Sequence, residues 1–158
     1  MKTLDNVMFD DTFHGQGWFP EEQLGKPEEE KYYRWMLSGG SAKVTLISST
    51  KFTTIASCKI VSILQDDILE HLQITIDQKP VEFNVTRCSG FLYSLEFVIP
   101  MRSNNPIVNV EFTVGKAFTP EGGDARNLSL AFHQILVGKV SAANILPFYG
   151  FKPKLVNN

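Results

Sequence analysis

Cysteine is nearly absent. Cys58 and Cys88 are the only two in 158 residues. Two thiols cannot build a four-ligand zinc cage or a disulfide framework. Both are expected as free thiols in strands, with a single Cys58–Cys88 bridge as the alternative. An imbalance of charge is absent too: 15 Lys and Arg stand against 17 Asp and Glu, a net charge of -2. Such a surface builds no positive field, which removes nucleic acid and anionic membrane surfaces from the expected partners. The longest apolar runs reach only about four residues, against the ~20 of a spanning helix. The N-terminus, MKTLDNVMFDDTF, lacks the continuous apolar stretch of a signal peptide, so the expected location is cytoplasmic.

Motifs of catalysis are missing as well. Ser41, Ser48, Ser49 and Ser89 have no Gly-x-Ser-x-Gly around them. Gly15-Gln-Gly17 is too short for a phosphate cradle, and no Lys-Ser/Thr follows it. Asp10, Asp11 and Asp124 are candidate calcium ligands, but no Asp-x-Asp-x-Asp-Gly loop supports them. Asp10, Asp11, His14, Glu21 and Glu22 can be cast as an acid–base set, but glycoside hydrolysis needs two carboxylates about 5–10 Å apart, and sequence does not give that distance. No cofactor and no metal are therefore expected; a small glycan-modifying enzyme, which would need two convergent carboxylates in one cleft, ranks third among the expected functions.

What the chain has in quantity is alternation with a period of two, the pattern of half-buried strands. Leu72, Ile74 and Ile76 share one face, and Val81, Phe83 and Val85 resume after Gln78-Lys79-Pro80, which reads as a hairpin. Phe91 to Phe97 and Val108 to Val114 alternate in the same way. Leu128, Leu130 and Phe132 do so before Ile135 and Val137 change phase, the signature of a β-bulge. Residues 4–12, 31–37, 42–47 and 53–64 are further strands. The fold expected is all-β: one jelly-roll or β-sandwich domain over residues 1–158, with about nine strands and little helix. One helical turn is expected at Pro20-Glu-Glu-Gln-Leu24. Residues 141–158 form a tail whose apolar run, Ile145-Leu-Pro-Phe-Tyr-Gly-Phe151, is expected to pack on the sandwich or on a partner.

Three loops, at residues 14–30, 101–105 and 117–126, are longer than hairpins need, and long loops tend to carry function. The first holds Gly17-Trp18 and Glu21-Glu22 and leads to Arg34-Trp35; the third runs into the next strand through Asp124-Ala-Arg126-Asn-Leu128. In these motifs, over roughly residues 10–137, the chain resembles the β-sandwich accessory domains of bacterial glycosyltransferases and other polysaccharide-biosynthesis proteins. It departs at Ser129, where that pattern usually has Gly, and it carries no glycosyltransferase domain. The resemblance implies a non-catalytic carbohydrate-binding or accessory module, with a glycan or a glycosyltransferase-type enzyme as partner.

In that expectation Trp18 is a stacking platform for a sugar, and His14, Glu21, Arg34, Asp124 and Arg126 supply directional hydrogen bonds. Competing structural roles accompany each. Trp18 can anchor its loop, Trp35 belongs to the alternating set Tyr33, Trp35, Leu37 and is expected in the core, and Arg34 can pair with Asp124 or Glu21 to tie loops to the sheet. A structural module that forms homo-oligomers or docks on a partner, without glycan binding, is the alternative function.

Overall fold

A computed structural model describes residues 3–37, 41–88, 93–102, 104–115, 122–124, 126–139 and 155–157. These are β1 (Thr3–Met8), β2 (Gly15–Gln16), β3 (Glu22–Leu24), β4 (Lys31–Trp35), β5 (Ser41–Ile47), β6 (Thr54–Ile63), β7 (Leu72–Ile76), β8 (Lys79–Val81), β9 (Phe83–Arg87), β10 (Tyr93–Ile99), β11 (Ile107–Val114), β12 (Leu130–Lys139) and β13 (Leu155–Asn157), with short 3-10 turns at Pro27–Glu29 and Asp66–His71. The chain is all-β, as its alternation implies. No helix among the described residues is long and apolar enough to cross a membrane.

An eight-stranded sheet runs β13-β9-β10-β6-β12-β4-β3, with β1 also on β12, and a five-stranded sheet runs β2-β5-β11-β7-β8. All pairs are antiparallel except β13 on β9. The two sheets meet through their apolar faces. Phe97 of β10 and Phe132 of β12 contact Phe112 of β11, with ring centroids 6.3 and 4.9 Å apart. Val44, Leu46, Ile74, Val110, Leu95, Ile60 and Ile135 fill the same cluster. Each such side chain, fully buried, contributes about 1.5–3 kcal/mol.

The phase change in β12 is a register irregularity against β6: Phe132 faces Ile60 and Gln134 faces Lys59, with His133 between them unpaired. The bulge turns Ile135 and Val137 to the core that Leu130 and Phe132 serve earlier in the strand.

The hairpin after β7 is shorter than the alternation suggested. Ile74, Thr75 and Ile76 pair with Val81, Pro80 and Lys79 around the two residues Asp77 and Gln78. Both have positive φ, 48° and 71°, as a two-residue hairpin turn of the primed kind requires. Phe83 and Val85 then belong to the opposite sheet, so the chain crosses between sheets at Glu82. The residues expected as a helical turn at 20–24 instead hold β3, because Glu22, Gln23 and Leu24 pair with Tyr33, Tyr32 and Lys31. A 3-10 turn follows at Pro27–Glu29, with Pro near its start.

At the ends of the strand order in both sheets, β13, β3, β2 and β8 are two or three residues long, and β8 carries Lys79 and Pro80; the six-residue β1 pairs with β12 alone among the described strands. Short, proline-bearing edges resist pairing with another chain. The apolar tail run at 145–151 lies outside the described residues, as does the turn at Ser89-Gly90.

Candidate functional site

The glycine-rich segment before Trp18 is shaped by close packing. A Cβ on Gly15 would lie 2.6 Å from the Lys43 carbonyl oxygen and from the Phe13 ring. Gly17 has φ of 87°, and a Cβ there would lie 2.2 Å from the Ser41 carbonyl oxygen. Only glycine lets the chain run this tightly along β5. Backbone bonds then fix the next residues: Phe19 N–H donates to Trp35 O at 2.9 Å, and Leu37 N–H to Gly17 O at 2.9 Å.

Trp18 consequently enters the core. Its ring lies 4.8 Å from Phe9, 5.1 Å from Phe132, 5.6 Å from Phe13 and 6.3 Å from Phe112. It is 9% exposed, and its Nε1–H donates to the Lys43 carbonyl at 3.1 Å. The expected stacking platform is therefore sealed: neither indole face is open to a sugar, and the loop-anchoring role holds instead.

Arg34 points to the opposite side from Trp35, as alternation requires, but with the sides exchanged. Arg34 pairs in register with Phe132, and Met36 beyond it is buried in the main core. Trp35 pairs with Ala131 on the outward face, where it forms a second, smaller cluster with Leu128, Phe19, Tyr33, Val61 and Leu64. The Arg34 side chain is 14% exposed. Its guanidinium donates to Glu21 Oε2 at 2.8 Å, Asp10 O at 2.7 Å and Phe19 O at 3.3 Å, and it lies over the Phe13 ring. These bonds tie the turn after β1 and the segment before β3 to the sheet, and they leave little of the fork for a ligand.

Arg126 makes a second clamp. It reaches both Asp124 oxygens (Nη2 to Oδ2 is 2.7 Å) and donates to Glu22 Oε2 at 2.7 Å, with its guanidinium 5.3 Å from the Phe19 ring centroid. The hydrogen bonds from Arg126 hold the Asp124 carboxyl at about 2, below its ordinary 3.8. The first and third long loops thus do meet, through Glu22 and Arg126, but they meet as an ion-paired brace over the outer cluster; residues 117–121 lie outside the described set. Arg34 pairs with Glu21 and not with Asp124.

Glu21 and Glu22 serve different arginines, so they do not converge as an acid–base pair. The Asp10 carboxylate accepts from Thr12 N–H at 2.9 Å and Thr12 Oγ1–H at 2.6 Å, and these bonds, that of the hydroxyl foremost, lower its pKa. Among the described residues no three of His, Cys, Asp and Glu gather as a metal-holding group. Cys58 and Cys88 are free. His14 is exposed and lines a groove of about 420 Å³ with Asp5, Asn6, Thr12, Ile47 and Ile107.

The larger groove, about 570 Å³, lies elsewhere, along the outward face of the five-stranded sheet. Gln16, Lys43, Thr45, Thr75, Asp77, Gln78, Asn109 and Glu111 line it. Register sets its rows: Lys43 stands opposite Glu111, Thr45 opposite Asn109, and Glu111 opposite Thr75. Lys43 and Glu111 form no ion pair with each other, or with any other described residue. Asp77 is paired with Arg102, and its Oδ1 accepts from Asn109 N–H at 3.3 Å. These residues carry no signal in the sequence, because they are the polar half of ordinary alternation, without an aromatic or a motif among them. Neither a protein-family model nor a curated protein matches the chain.

Proposed function

We propose that the chain is a non-catalytic binding module that holds a neutral, hydroxyl-rich ligand, a glycan, on the outward face of its five-stranded sheet. The observation that carries this is the groove in which Lys43 and Glu111 oppose each other unpaired, beside Thr45 and Asn109. Sugar hydroxyls both donate and accept. An ammonium, a carboxylate, two hydroxyls and carboxamides in one groove match that duality. Charge supports a neutral ligand: Lys43 offsets Glu111, and Arg102 offsets Asp77. The groove's size falls in the range of about 300–1,000 Å³ common to small-ligand sites. An accessory role beside enzymes that build cell-surface polysaccharide is part of the same proposal, supported by the Gly17-Trp18, Arg34-Trp35 and Asp124-Ala-Arg126-Asn-Leu128 motifs.

Calorimetric titration of a panel of neutral and acidic glycans tests it. A neutral glycan should bind the wild-type chain, and Asn109→Ala with Glu111→Ala should weaken it about tenfold, the effect of ~1.4 kcal/mol of lost hydrogen bonding. Absence of binding across the panel, or equal binding by the variant, overturns the reading.

A further inference from the structure

Resting on that reading, we infer that the site takes an oligosaccharide chain and not a single sugar, with Ile47 and Ile107 as the subsite for a ring beyond the polar groove. Thr45 lines both grooves, so the polar one and the one beside β1 adjoin at this residue. Ile47 and Ile107 stand opposite each other in register, two residues along from Thr45 and Asn109. Two residues of strand advance about 7 Å, a step that the next ring of a chain covers and the first ring does not. The two residues are 50% and 47% exposed, and they account for two of the four exposed large apolar residues described. Two open isoleucines side by side, on a face that otherwise carries Lys43, Thr45, Asn109 and Glu111, offer a dry shelf to the C–H face of a pyranose, while the polar rows take hydroxyl edges. The shelf is held in place: Ile47 N–H donates to Asp5 Oδ2 at 2.8 Å, and Ile107 N–H donates to Asn105 Oδ1 at 2.9 Å.

The test is a length series of neutral gluco-, xylo- and manno-oligosaccharides, from one to six residues, titrated against the wild-type chain and against Ile47→Ser with Ile107→Ser. Both positions are exposed, and matching thermal melts verify that the variant is folded. The expected result is an affinity for one series that rises about tenfold from the monosaccharide to the trisaccharide, the effect of ~1.4 kcal/mol, with the rise absent in the double variant. Length-independent binding by the wild type, or an unchanged length dependence in the variant, overturns the inference and leaves the polar groove standing. Failure of every series to bind the wild type overturns both.

Discussion

The indole N–H of Trp18 donates to the main-chain carbonyl of Lys43, 3.1 Å away, while the Lys43 side chain lines the groove on the other side of the same strand. The most conspicuous residue of the sequence thus acts from inside the fold, on the strand that carries the polar rows. Trp18→Ala should destabilise the protein by about 3–5 kcal/mol, the range for removing a large buried aromatic. Trp18→Phe should cost about 1 kcal/mol from the lost hydrogen bond, plus whatever cavity remains. Urea unfolding followed by circular dichroism reads both. A Trp18→Ala variant as stable as the wild type contradicts the packing described.

Arg34 works as a tie for two loops. Arg34→Met should cost about 3 kcal/mol, the lower end for breaking a mostly buried pair, because Glu21 is one-third open to water. Glu21→Gln should cost no more than about 1 kcal/mol, since the two backbone carbonyls still hold the guanidinium. Denaturant midpoints compare the two. Glycan affinity, measured on the folded variants, should be the same in both; a selective loss in Arg34→Met would return the site to the loops.

The turn at Asp77 and Gln78 sets a cheap stability test. Gln78 has φ of 71°, which an L side chain adopts at a cost of about 1–2 kcal/mol and glycine does not. Gln78→Gly should raise stability by about 1 kcal/mol, seen as a higher melting temperature. An unchanged or lower value would mean that the Gln78 side chain contributes as much as its backbone loses.

Asp124 gives a pH test with a definite sign. Its folded pKa is depressed, from 3.8 to about 2. Its brace with Arg126 is therefore intact above the ordinary value and is lost only as pH falls through that window toward about 2. Carboxyl-carbon NMR should find the Asp124 midpoint near the lower figure, and Arg126→Met should return it toward the upper one. A midpoint that does not move in the variant removes Arg126 as the cause.

Much of this architecture is legible in the alternation. Eight of the nine strands read from it are present as β1, β4, β5, β6, β7, β10, β11 and β12, the ninth, read over residues 81–85, is split between β8 and β9 of opposite sheets, and the bulge near His133 follows from the phase change. The added strands β2, β3, β8 and β13 are too short to carry a period. Trp35 and Arg34 show where pattern reading stops. Both faces of β4 are covered, so alternation gave their opposition but not which side was the main core. Gly15 and Gly17 marked a real constraint, a close approach to β5, that resembles a ligand loop when only the letters are known. Lys43 and Glu111 come together through the pairing of strands more than sixty residues apart in sequence, which no local pattern encodes.

The most direct measurement is a map of amide chemical shifts during titration with the neutral oligosaccharide that binds best. Perturbations are expected to concentrate at Lys43, Thr45, Asn109 and Glu111 and to spread to Ile47 and Ile107 for longer chains, with Trp18 Nε1–H unmoved. Shifts centred on Glu21, Arg34 and Arg126, or none at any residue, would contradict this expectation.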